Sequence, residues 1–157
     1  MKGDPDVIEL LNRVLTAELT AINQYFVHSK MCANWGYARL ADHHRNESIE
    51  EMKHADQLMD RILMLDGVPN MQRLNPVKVG ETVPEQHQLD LELELTAQKV
   101  LNDGIALCRD KGDNVSRELL ERILMDEEEG IDWIEAQLHQ IDEMGLQNYL
   151  TEQVRGG

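Results

Sequence analysis

Four glutamates and a histidine stand where an amphipathic helix normally keeps leucine. In the first long periodic segment the positions recurring at spacings of three and four read Leu11, Leu15, Glu18, Ile22 and Tyr25. The second aligns Glu51 and His54 with Leu58, Ile62 and Leu65. In the third the stripe is Leu91, Glu94, Gln98, Leu101, Ile105 and Cys108, and in the fourth Leu120, Leu124, Glu127, Ile131, Ile134, Leu138 and Ile141. A buried carboxylate without a partner costs several kcal/mol and ordinarily takes up a proton or is replaced. Any one of these glutamates could be an edge residue with a buried stem and a solvated head, and a lone Glu-x-x-His is a weak signal. Four converging on one core beside a histidine make sense when cations neutralise them. Hard oxygen ligands with an imidazole suit iron or manganese. The i, i+3 spacing of Glu51 and His54 sets both side chains on one face, able to share a metal pair.

Four helices must carry these residues, since β-type alternation is nowhere sustained. Asp4-Pro5, a capping residue followed by proline, opens the first, which runs to about Asn34 before Gly36. The second spans about Arg39 to Asp66 and stops at Gly67 and Pro69. Thr82-Val83-Pro84-Glu85, with capping-box spacing, starts a third that reaches about Lys111. The fourth covers about Asn114 to Met144, and a short fifth stretch follows from Leu146 to Val154. Short joints make helices one and two, and three and four, antiparallel pairs. The irregular stretch from Asp66 to Thr82 is seventeen residues, able to span roughly 56 Å extended. A helix of 27 residues is only about 40 Å long. The linker can therefore cross the whole bundle and start the third helix parallel to the second. The expected fold is all-α: a ferritin-like four-helix bundle with one long crossover and a short fifth C-terminal helix, a single domain over residues 1–157.

Composition sets the boundaries of function. With 157 residues, one domain can bury a full core. Thirty acidic against fifteen basic residues give a formal charge of −15, which disfavours nucleic acid and anionic membrane and favours cations. No apolar run has transmembrane length and no secretory leader pattern is seen, so cytoplasmic residence is expected. Cys32 and Cys108 form no CxxC motif and read as small core residues in a reducing compartment.

Over its whole length the sequence resembles the bacterioferritins, the haem-containing branch of the ferritins. The likeness lies in Met1-Lys2-Gly3-Asp4, in Glu18-Leu19-Thr20-Ala21-Ile22-Asn23-Gln24-Tyr25-Phe26, in Glu47-Ser48-Ile49-Glu50-Glu51-Met52-Lys53-His54-Ala55-Asp56, and in Gly145-Leu146-Gln147-Asn148-Tyr149-Leu150. The resemblance implies a hollow cage of 24 subunits that oxidises ferrous iron at a di-iron site in each subunit and stores the ferric mineral inside. By position, Glu18 and His54 would be terminal ligands of one iron, Glu51 and Glu127 would bridge, and Glu94 would be terminal on the second. Tyr25, two turns after Glu18, would lie close by, either as a participant or as a core aromatic with a satisfied hydroxyl. Met52 stands at the family's haem-ligand position, where haem b sits across a two-fold axis between paired methionines; by itself the residue reads as flexible packing. A ferredoxin-type reductant for iron release belongs to the same expectation.

Two positions depart from the family pattern. A histidine is expected three residues after the fourth-helix glutamate, as terminal ligand of the second iron, but Glu127-Glu128-Glu129 is followed by Gly130. Neither Glu128 nor Glu129 shares the face of Glu127, at 100° per residue. Asn46 also stands where the family's route to the mineral cavity often uses a histidine near an acid, here Glu50. Trp35 and Trp133 read as packing residues rather than electron carriers. The expected activity is therefore a ferroxidase with a depleted second position. The alternative is a ferroxidase-impaired shell and haem subunit of a mixed cage, in which another subunit type performs the oxidation.

Overall fold

The computed structural model describes residues 1–155, and among these all regular structure is helical. Residues 156 and 157, the end of the expected 1–157 domain, lie outside the described residues. Four long helices and one short one follow in order: α1 (Pro5–Trp35), α2 (Ala38–Met64), α3 (Val83–Asp110), α4 (Asn114–Met144) and α5 (Leu146–Thr151). Asp4 caps α1 by accepting the backbone N–H groups of Asp6 and Val7 at 2.8 and 3.4 Å. Gly36, at φ 88°, takes the left-handed conformation that ends it. Thr82 caps α3 through the N–H of Glu85. Helix α2 stops two residues short of Asp66, because Asp66 itself turns left-handed at φ 60°. Helix α5 is likewise shorter than expected and gives way to turns after Thr151.

The crossover is held by a ladder. Along α1, residues four apart present polar groups to the linker: Asn12 accepts from the Asn70 N–H at 2.7 Å, and Thr16 Oγ1 accepts from Arg73 Nε at 3.0 Å. Thr20 Oγ1 then takes the Asn75 N–H, Gln24 Oε1 the Lys78 N–H and His28 Nε2 the Gly80 N–H, at 3.0, 3.2 and 2.9 Å. Linker and α1 thus climb together, and α3 begins where α1 ends. Since α1 and α2 are antiparallel, α3 runs parallel to α2, as its length allowed. At the other end Asp113 caps α4 through Ser116 and accepts Arg61 Nη2 at 2.8 Å, fastening the end of α2 to the start of α4.

The core has two apolar parts. One contains Leu11, Leu15, Leu58, Ile62, Leu101, Leu120 and Ile123; the other gathers Cys32, Leu40, Val83 and Tyr149. Both cysteines are buried and free. In the interval along α1 between Leu15 and Cys32 stand Glu18, Gln24, Tyr25 and His28, all buried. They begin a buried polar layer between the two apolar parts.

Candidate metal centre

Glu18 from α1, Glu51 and His54 from α2, and Glu127 from α4 bring one ligand atom each to within 4.8 Å of one another. All four are buried. Nδ1 of His54 is the hub, lying 3.5 Å from Glu18 Oε2, from Glu51 Oε2 and from Glu127 Oε1. Its other nitrogen, Nε2, is 2.8 Å from Asp126 Oδ2. With Asp126 accepting the Nε2 proton, Nδ1 faces the three glutamates, carrying a proton when no metal is bound and offering its lone pair to a cation that displaces that proton. Asp126 escaped the sequence reading; its adjacency to Glu127 was the only signal for it.

Hydrogen bonding does not account for these carboxylates. Both oxygens of Glu18 are buried without a partner, as are Glu51 Oε2, Glu94 Oε2, Glu127 Oε1 and His54 Nδ1. Buried polar atoms normally find partners, so five orphans on the four clustered residues, with a sixth on Glu94 beside them, are the pattern a cation would satisfy. Protons do part of that work otherwise. Burial, and then the charge of Glu127, push the Glu18 carboxyl up to about 8. Burial opposes charge on His54, but the carboxylates of Glu127, Glu18 and Asp126 outweigh it and raise the imidazole to about 11.

Glu94 stands slightly apart. Tyr25 donates its hydroxyl to Glu94 Oε1 at 2.6 Å, and burial among acids keeps that phenol protonated, well above its ordinary range. Tyr25 is thus a core aromatic with a satisfied hydroxyl, and that hydroxyl fixes one oxygen of Glu94. The free oxygen of Glu94 faces Gly130, lying 3.8 Å from where a Cβ would be. A pocket of about 290 Å³ opens beside Gly130, lined by Glu47, Glu51, His54, Asp126 and Glu129 among others. Met52, one residue from Glu51, points away from this centre and is 56% exposed, with Phe26 and Ile49 also exposed.

Beyond Tyr25 lies a second buried layer that sequence reading passed over. Asp90 Oδ1 accepts Gln24 Nε2 at 2.9 Å and is 3.0 Å from His28 Nδ1, with His44 close on its other oxygen. Tyr149 of α5 donates to Gln137 at 2.6 Å, so His87 Nε2 donates to the tyrosine oxygen at 3.0 Å. Burial drives His43 down to about 4 and His87 to about 3, leaving these imidazoles neutral. Asp90 and His87 sit four and seven residues before Glu94, on its own helical face, and that spacing was the available clue. Trp133 is a packing residue, stacked on His43 with ring centroids 3.4 Å apart.

Known proteins agree with this architecture. The family described as ferritin-like domain matches residues 8–144. The chain is 52% identical over 152 residues to the protein named bacterioferritin BfrA of Mycobacterium tuberculosis, covering 97% of this chain and 96% of that one. The chain belongs to the bacterioferritin family. Other members are similarly near: the bacterioferritin of Streptomyces coelicolor is 52% identical over 151 residues, covering 96% and 90% of the two chains. That of Brucella melitensis is 44% identical over 149 residues, covering 95% and 92%. Among the described residues no helix is long and apolar enough to cross a membrane.

Proposed function

We propose that this bacterioferritin-family chain is a cytoplasmic iron-storage subunit, a single ferritin-like domain. Twenty-four copies form a cage that oxidises ferrous iron at paired positions inside each bundle and keeps the ferric product within. The observation that carries this reading is the set of orphaned buried atoms on Glu18, Glu51, Glu94, Glu127 and His54. Glu18 and His54 serve as terminal ligands of the first iron, Glu51 and Glu127 bridge, and Glu94, steadied by Tyr25, is terminal on the second. Four carboxylates balance the charge of two ferrous ions. The pair supplies the two electrons that take dioxygen to peroxide, or peroxide to water. A ferredoxin-type reductant returns electrons for release.

Haem b fits Met52 in one respect: a thioether exposed at 56%, with apolar Phe26 and Ile49 also at the surface, offers an axial sulfur and a ledge for a flat ring. Ser48 donates to the Ile22 carbonyl at 2.9 Å, which brings this stretch of α2 alongside α1. Haem bound there supplies one-electron chemistry at the shell.

Rapid mixing of the assembled protein with ferrous iron tests the reading. Glu18→Ala should lower the initial oxidation rate at least about tenfold, as loss of a metal ligand commonly does. An unchanged rate would place the oxidation elsewhere. Gly130 favours a second reading, a shell and haem subunit of a mixed cage. If the chain alone oxidises iron no faster than buffer and Gly130→His restores the burst, that second reading holds.

A further inference from the structure

The gap at Gly130 has two carboxylates at its rim. A Cβ built on Gly130 would have Glu47 Oε2 and Glu94 Oε2 as its nearest neighbours, each at 3.8 Å, with Glu94 Cδ at 3.9 Å. Any longer side chain at this position would enter the space that these two oxygens face. Glu47 lies one turn before Glu51 and two before His54, so all three project from one face of α2. Its carboxylate helps line the pocket that also exposes Glu51 and His54. Its second oxygen lies 3.8 Å from His43 Nε2, too far for a hydrogen bond, and His43 itself is held by its stack on Trp133. Glu94, the other carboxylate at the gap, is 1% exposed and its Oε2 has no partner.

We propose that Glu47 replaces the absent side chain at position 130 as the terminal ligand of the second metal position, opposite Glu94. This rests on the di-iron reading above and deepens it. The two positions then differ in kind. The first holds an imidazole nitrogen from His54, whereas the second is built of oxygen alone: Glu94, Glu47 and the bridging Glu51 and Glu127. Exchanging a neutral imidazole for a carboxylate adds a negative charge, and an all-oxygen set selects harder ions. Glu47 also borders the open pocket, which His54 and Glu51 line as well, so a metal can reach the pair from that side.

Cobalt(II) titration of the assembled, metal-free protein, followed by its visible absorption and by calorimetry, tests this without turnover. The unaltered chain should take up two equivalents. Glu47→Gln, nearly isosteric, should weaken the second at least about tenfold and leave the first in place. Glu47→Asp, with the carboxylate withdrawn by one methylene, should fall between. In the Gly130→His background, Glu47→Gln should cost the second equivalent no more than about threefold, because imidazole then fills the coordination. The proposal is overturned if Glu47→Gln leaves two equivalents untouched, or if its cost is the same with and without the histidine, which would mark a general charge effect. In the unaltered chain, a first equivalent that binds normally while the second never appears overturns the role of Glu47 alone. Failure of Glu18→Ala to disturb the first equivalent overturns the di-iron reading itself.

Discussion

His54 and Glu18 make the centre a proton reservoir when no metal is bound, and the consequence can be measured. Glu18 rises from 4.5 to about 8 in the folded chain, so the stability it contributes is complete below 4.5 and lost as pH climbs through 8. His54 rises from 6.5 to about 11, so its contribution is complete below 6.5 and fades as pH climbs through 11. Both signs agree, and the opposing gain from the buried neutral His43 and His87 is complete above pH 6.5, so the metal-free protein should melt at a lower temperature at pH 9 than at pH 7. Glu18→Gln should flatten that slope between 4.5 and 8, while divalent metal loaded at pH 7 should release about two protons per pair. Calorimetric melts across the range, with a pH-stat record of loading, check both; melting temperatures that rise steadily to pH 9 would contradict the protonated pair. At this scale the sequence was legible wherever a buried acid or histidine lay on a core stripe, as the proposed ligands Glu18, Glu51, His54, Glu94 and Glu127 do. Asp126 lies off its stripe, and Glu47 continues the face of Glu51 and His54 one turn before the stretch in which that stripe was read. Their roles depend on side-chain reach across helices, which periodicity does not encode.

Helix ends were readable because each carries its own chemistry: Asp4 with Pro5, Thr82 with Glu85, Gly36 beyond α1. The crossover was legible only as a length. Its ladder needed the fold, because Asn12, Thr16, Thr20, Gln24 and His28 read in sequence as scattered polar residues at the edge of a helix. They become a ladder once the linker's N–H groups lie against them. Gly80 closes the ladder at its top. A Cβ there would lie 2.5 Å from the Gln86 nitrogen and 2.7 Å from its Cα, backbone that cannot step aside. Gly80→Ala should therefore cost about 1–3 kcal/mol, the usual range for overpacking, seen as a lower denaturant midpoint. Gly130 is the contrasting case. Its nearest neighbours stand at 3.8 Å in ordinary contact, so Gly130→Ala should gain about 1 kcal/mol in helix propensity. Equal effects at the two glycines would contradict the packing assigned to Gly80.

Whole-molecule behaviour follows from what one bundle leaves uncovered. Phe26, Ile49 and Met52 are exposed on the outer faces of α1 and α2, opposite in sense to the buried Glu51 and His54. Adjacent residues on a helix point about 100° apart, so Met52 can serve a subunit interface without disturbing the metal ligands. The assembled protein should sediment as a closed cage of about 24 subunits, as the family resemblance implies. Met52→Leu should abolish haem absorbance while iron uptake survives. Sedimentation showing dimers alone at neutral pH and moderate salt would defeat the cage, and haem retained unchanged in Met52→Leu would remove the methionine's role. The central claim is narrower than the cage: the carboxylate core of each bundle holds iron. Anomalous diffraction at the iron edge, from crystals of the assembled protein soaked in ferrous iron without oxygen, addresses it directly. A strong peak should appear among Glu18, Glu51, Glu127 and Nδ1 of His54, with a second, weaker one between Glu94 and the pocket at Gly130. Iron found only on the acidic surface, with no peak inside the bundle, would contradict it.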